Sequence, residues 1–128
     1  MRLLLDTHAL IWWLAGDESL NRPAREAIAN DANSVAVSAA SAMEVSTKFR
    51  LGKLPDAALL ARDFEAIVAA QGFAELAISV QHARIAGEMN IAHKDPFDRL
   101  LIAQAQVEVM VLVSNEILFD GFAVQRLW

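Results

Sequence analysis

Short apolar runs alternate along the chain with longer stretches in which apolar residues recur every three or four positions. Residues 2–5 (Arg-Leu-Leu-Leu) read as a strand covered on both faces. Asp6-Thr7-His8 ends that strand before a helical run from Ala9 to Ala15, which Gly16 closes. Trp12 and Trp13 are about 100° apart on a helix, so both cannot point squarely into one core, and one is left available to a partner. Residues 20–31 predict a second helix with Pro23 early, and Ser34 to Val37 a second strand. Ser38 or Ser41 caps a helix that carries Glu44, Lys48 and Phe49 and stops at Gly52. After the break at Lys53-Leu54-Pro55, one helix is expected from about Asp56 to Ala70, then a weak strand from Ala74 to Ile78. Ser79 caps a helix that includes His82, Ile85 and Met89.

Pro96 suits a first helical position, which makes Asp95 the N-cap and puts Asp98 in the first turn. Leu101, Ile102 and Ala105 follow Asp98 at helical spacing, so the acid heads the buried stripe. Val109 to Val113 is the strongest strand, with three β-branched residues among its five. Phe122 to Leu127 adds an edge strand. Strands alternating with helices predict an α/β layer fold with a mainly parallel sheet of four to five strands, in one domain over residues 1–128.

A hydrophobic content of 55% with 21% charged residues excludes a disordered chain, and the longest apolar run, Ala9 to Ala15, is too short to span a bilayer. The acid at position 6 leaves no room for the apolar region of a signal peptide, so a soluble cytoplasmic protein without membrane partners is expected. With no cysteine, any metal must use oxygen or imidazole ligands. The net charge of −5 opposes sequence-blind nucleic-acid binding, but not a nuclease whose clustered acids take up divalent cations.

In an open parallel sheet the loops after the strands' carboxyl ends gather on one edge, where ligands bind. Asp6 follows the first strand, Glu44 lies in the helix after the second, Asp98 opens the helix before the last strong strand, and Glu116 follows that strand. All four can converge. Singly, each has an ordinary use: Asp6 and Asp95 as caps, Glu44 in a capping box with Ser41 or paired with Lys48, Asp98 and Glu116 at the positive end of a helix dipole. Jointly, four carboxylates about 5 Å apart would repel by roughly 3 kcal/mol per pair at an effective dielectric of about 20, or on the order of 20 kcal/mol over six pairs. Some acids must then be protonated, or cations bound. The donors suit Mg²⁺ or Mn²⁺, and the chemistry expected of such a site is phosphodiester hydrolysis.

Leu-Leu-Leu-Asp6-Thr-His, Ser-Ala-Met-Glu44-Val-Ser-Thr-Lys with Leu-Gly-Lys-Leu behind it, and Asp95-Pro-Phe-Asp98-Arg-Leu-Leu-Ile-Ala-Gln-Ala resemble the PIN-domain family. Within it they are similar to the VapC toxins of bacterial type II toxin–antitoxin modules. The resemblance covers essentially the whole chain, and its most specific piece begins at Asp95. It implies a three-layer α/β/α fold, a magnesium- or manganese-dependent endoribonuclease, a homodimer, and a VapB-like antitoxin whose C-terminal segment covers the site. By match to the motif, Asp6, Glu44 and Asp98 would be the metal-holding acids. The family's fourth acid is an Asp in a Thr-x-Asp-like turn; here the turn is Ser114-Asn115-Glu116, so Glu replaces Asp, with Asp120 in reserve.

On that resemblance Asp6 and Asp98 ligate one Mg²⁺, and Glu44 and Glu116 orient the attacking water or support a second ion. Cleavage of RNA would leave a 5′-phosphate and a 3′-hydroxyl. Thr7 and Ser114 can donate hydrogen bonds to the ligating carboxylates, and Asp95 is expected to cap in preference to touching metal. Arg99 can hold a substrate phosphate or form a surface ion pair. Lys48, Arg50, Lys53 and Lys94 are the cations available to RNA, while His8, His82 and His93 read as structural. A PIN-like module that binds antitoxin or RNA without cutting is the main alternative, favoured by Glu116 and opposed by the four retained acids. A haloacid-dehalogenase-like phosphatase would need Asp-x-Asp, and His8 stands where the second Asp belongs.

Overall fold

The computed structural model describes residues 1–92 and 95–128, so His93 and Lys94, with the roles given them above, lie outside the described residues. β1 (Arg2–Leu5), β2 (Ser34–Ser38), β3 (Ala74–Leu76), β4 (Val111–Val113) and β5 (Gln125–Leu127) form one sheet in the order β3-β2-β1-β4-β5, every pairing parallel. β1 is central, and Leu3, Leu4 and Leu5 are fully buried. Each such leucine contributes about 1.5–3 kcal/mol by leaving water.

Alternation along the strands divides the core between two faces. Leu3, Leu5, Val35, Val37, Val111 and Val113 pack on one face. Against them lie α1 (Thr7–Ala15), α2 (Arg22–Ala29), α3 (Ala39–Arg50) and the short α4 (Ala58–Arg62) and α5 (Phe64–Ala70). Leu4, Ala36 and Leu112 face the opposite way, onto Leu101, Ile102 and Ala105 of α7 (Pro96–Glu108). The result is the three-layer α/β/α arrangement, with α6 (Val80–Glu88) packed beside α7.

Several boundaries differ from the sequence-based expectation for physical reasons. The helix expected over 56–70 opens with a 3₁₀ turn (Pro55–Ala57) and bends at Asp63, whose φ of −125° and ψ of 41° divide α4 from α5. The second helix ends at Ala29, leaving Asp31 beyond it. Val109, expected to begin the last strong strand, instead ends α7 in the left-handed region (φ 52°, ψ 59°), and β4 starts two residues later. Both tryptophans are half-buried and make contacts within the chain. Trp12 lies 5.8 Å from Trp128, whereas Trp13 lies 6.2 Å from Phe73 and donates its indole N–H to Gln71 Oε1 at 3.0 Å.

Among the described residues no helix is long and apolar enough to cross a membrane.

Candidate functional site

The sheet changes direction at β1: the chain builds outward through β2 to β3 on one side, then returns to lay β4 and β5 on the other. The crevice between the carboxyl ends of β1 and β4 is the place where such sheets take ligands. Asp6 is the first residue past β1, held by its N–H to the Val113 carbonyl at 3.1 Å. It caps α1, accepting the Ala9 N–H on Oδ1 at 2.7 Å, and is 6% exposed. Burial pushes its carboxyl above the ordinary value and Asp98's charge adds to the rise, against hydrogen bonds from Ser114 and the Ala9 amide. The negative charge of Asp98 is therefore felt at Asp6.

Asp98 is delivered by α7. Asp95 caps that helix as expected, its Oδ1 accepting the N–H groups of Phe97 at 2.9 Å and Asp98 at 3.3 Å. Glu44, on α3, is buried, and both of its oxygens have partners. Thr7 Oγ1 lies 2.6 Å from Oε1, and Lys48 Nζ, one turn further on, lies 2.5 Å from Oε2. Thr7 has one proton; the carboxylate, an acceptor only, takes it, which leaves the Ser41 hydroxyl, 3.0 Å away, to donate to Thr7. Ser38, not Ser41, caps α3, so Glu44 does not complete the capping box that Ser41 offered.

Glu116 follows β4 in a turn organised by Ser114, whose fully buried hydroxyl accepts the Glu116 N–H at 3.0 Å and bonds Asp6. Asp6, Glu44, Asp98 and Glu116 line a single pocket of about 90 Å³ with Thr7, Lys48 and Asp95. Four segments far apart in sequence thus meet at one sheet edge.

Two further candidates lie elsewhere. Asp120 is held by Arg126 through two hydrogen bonds of 2.8 and 2.9 Å, which keep its carboxyl below the ordinary range, and it does not line the pocket. Between Glu116 and Asp120, the structure brings Glu116 to the other acids. Arg99 donates to the carbonyls of Ala86, Gly87 and Met89 at the end of α6, so its guanidinium serves that helix terminus and is no pocket wall. His82 is buried as a cap, its Nδ1 accepting the Ser79 N–H at 3.0 Å, and its Nε2 lies 3.2 Å from Glu108.

The sequence did not single out Arg126. Besides Asp120 it reaches the Ser114 carbonyl at 3.0 Å, and so braces the turn that carries Glu116. A six-residue separation across a turn has no motif to announce it.

The donors around the pocket are carboxylate and hydroxyl oxygens, the set that hard divalent cations prefer. Among the described residues no three of His, Asp and Glu close into a ready-made ligand group. Mg²⁺ requires no such cage, since it keeps several waters and takes one or two carboxylates, and the pocket has room for water. The residues fit a hydrated divalent ion. Beside the pocket, sharing His8 with it, runs an apolar groove of about 560 Å³ walled by Ile11, Trp12, Leu14, Leu54 and Leu60, with Lys53 at its side.

The PIN domain model matches residues 3–123. No curated protein matches the chain. Among solved structures it is similar to VapBC2 from Rickettsia felis bound to a fragment of its promoter DNA, with a TM-score of 0.70, 16% identity, and 98% of this chain and 97% of that one covered. It is similar also to DNA-bound VapBC from Salmonella typhimurium (TM-score 0.67, 17% identity, 98% and 96% covered). A third is FitAcB from Neisseria gonorrhoeae (TM-score 0.62, 18% identity, 97% and 95% covered). At these identities the likeness is one of fold.

Proposed function

The chain belongs to the PIN-domain family, and from that premise we propose that it is a VapC-type toxin, a metal-dependent endoribonuclease held in check by a VapB-like antitoxin. The supporting observation is the meeting of Asp6, Glu44, Asp98 and Glu116 in one pocket at the point where the sheet order reverses. Asp6 and Asp98 would hold Mg²⁺ or Mn²⁺. When bound, that ion supplies the charge that activates a water and neutralises the scissile phosphate.

The chain's own residues prepare the pocket. Ser114 and the Ala9 amide orient the Asp6 carboxylate, Asp95 fixes the first turn of α7 beneath Asp98, and Thr7 pins one oxygen of Glu44. Glu116, exposed at the rim, is free to reach inward for a water or a second ion. Similar solved structures include two VapBC assemblies and a toxin–antitoxin complex from Klebsiella pneumoniae, and the apolar groove reaching the pocket through His8 is the surface on which a partner's apolar segment would lie over the site. We assign the protein to the cytoplasm and to a homodimer on the same family grounds.

Purified protein stripped of antitoxin is expected to cut structured RNA in Mg²⁺, leaving 5′-phosphate ends, and to stop in EDTA. Asp98→Asn is expected to lose at least about a hundredfold in rate, as removal of one preorganised charge-stabilising group does. One observation favours the alternative of a binding module without cleavage: Lys48 already satisfies Glu44. Folded wild-type protein that binds RNA in Mg²⁺ and leaves it whole would establish that alternative.

A further inference from the structure

We propose that Lys48 is a built-in counter-ion of the acid pocket, competing with the divalent cation for Glu44 and so setting how tightly the site takes its metal. This rests on the metal-dependent reading above and adds its regulation. Glu44's side chain is 8% exposed, so water does little to stabilise its charge, and the chain supplies partners on both oxygens. Thr7 is a neutral donor at 2.6 Å from Oε1; Lys48 brings a full charge to 2.5 Å from Oε2.

The lysine also lines the pocket that holds Asp6 and Asp98, and its side chain is 32% exposed against 8% for Glu44's. A cation entering that pocket meets an ammonium already bonded to one of its acids. It must either displace Lys48 from Oε2 or bind beside it against like-charge repulsion. Both routes weaken the ion's hold. An ammonium is a compact point charge on a flexible stem, suited to being displaced without moving the backbone. The i to i+4 spacing, with Glu toward the helix N-terminus, favours its return. Lys48 is on this account a positioning residue, acting through Glu44.

The test is Mn²⁺ binding alone, by calorimetry or electron paramagnetic resonance, on full-length protein free of antitoxin and RNA. Lys48→Met is expected to bind Mn²⁺ about tenfold tighter than wild type, equivalent to about 1.4 kcal/mol. Lys48→Arg, which keeps the charge, should stay within about twofold of wild type. A lysine that served only to shape the pocket would give the opposite sign, because losing it would loosen the site and weaken Mn²⁺. Weakened or unchanged binding in Lys48→Met therefore overturns the proposal. Should Lys48→Met fail to fold without metal, Lys48→Gln, which keeps a donor for Glu44 without the charge, carries the same expectation. Folded wild type that takes up no Mn²⁺ overturns both this inference and the metal-dependent reading, whereas wild type that binds it while the neutral variants match it overturns this inference alone.

Discussion

Asp95 and Asp98 stand three residues apart at the head of α7, and substitution separates cap from site. Asp95 Oδ1 serves two backbone N–H groups, at 2.9 and 3.3 Å. Asp95→Ala removes the acceptor, at a cost of about 1 kcal/mol for the cap, and removes a negative charge from the positive end of the helix, about 0.5 kcal/mol more. For a chain of 128 residues each kcal/mol is about 4 °C in Tm, so this variant should melt about 6 °C below wild type. Asp95→Asn keeps the oxygen and loses only the charge, so its loss should be about 2 °C. Melts followed by circular dichroism, paired with RNA cleavage in Mg²⁺, read both consequences. Asp95→Asn should cleave within a few-fold of wild type while Asp98→Asn does not. An alanine variant that melts with wild type would refute the cap, and an asparagine variant as inactive as Asp98→Asn would place Asp95 among the ligands.

Asp6 offers a pH-dependent counterpart. Its folded carboxyl sits above the ordinary aspartate value of 3.8, so the native state binds the proton more tightly than the unfolded chain. In metal-free buffer that contribution to stability is full below 3.8, is lost as pH rises through the elevated folded value, and stays lost at neutrality. Asp6→Asn, which retains the cap oxygen, should therefore resist urea better than wild type at neutral pH, converge with it in acid, and lose cleavage; a less stable variant at neutral pH would contradict the burial argument. Val109, left-handed at φ 52° and 82% exposed, gives a stability test away from the site. Val109→Gly relieves about 1–2 kcal/mol of strain and forfeits about 0.5–1 kcal/mol of backbone entropy, so a small rise in Tm with unchanged cleavage is expected, and a fall would show that Val109 packs against something.

Much of this architecture was legible because burial and local chemistry agree. The run Leu3-Leu4-Leu5 could only be a strand hidden on both sides, and Asp95-Pro96 is a helix start by stereochemistry alone. The bend at Asp63 was not legible. Leu60, Phe64 and Val68 keep helical spacing straight through it, and the hydrogen bonds from Asp63 to Leu59 and from Ile67 to Asp63 survive. Val109 misled for the opposite reason: its β-branched neighbours signal a strand, but α7 runs on to Glu108 and must turn sharply to enter β4.

The convergence of the acids was legible through topology, since Asp6 and Glu116 follow strands' carboxyl ends, Asp98 opens a helix at that edge, and Glu44 lies in the helix that leaves β2. How their mutual repulsion is met was legible only in outline. Protonation or a cation was foreseen. The structure shows burial lifting Asp6's carboxyl and Lys48 placed on Glu44, where the sequence offered the lysine as an ordinary helical ion pair or as a cation for RNA.

The two margins of the sheet, β3 and β5, are three residues long and bear Glu75 and Arg126 respectively. A neighbouring chain approaching along either margin would find little backbone to join, and at β3 an exposed charged residue as well. Growth by strand addition is thus discouraged by construction. Oily surface left to be covered lies instead on residues such as Leu59, 71% exposed on α4.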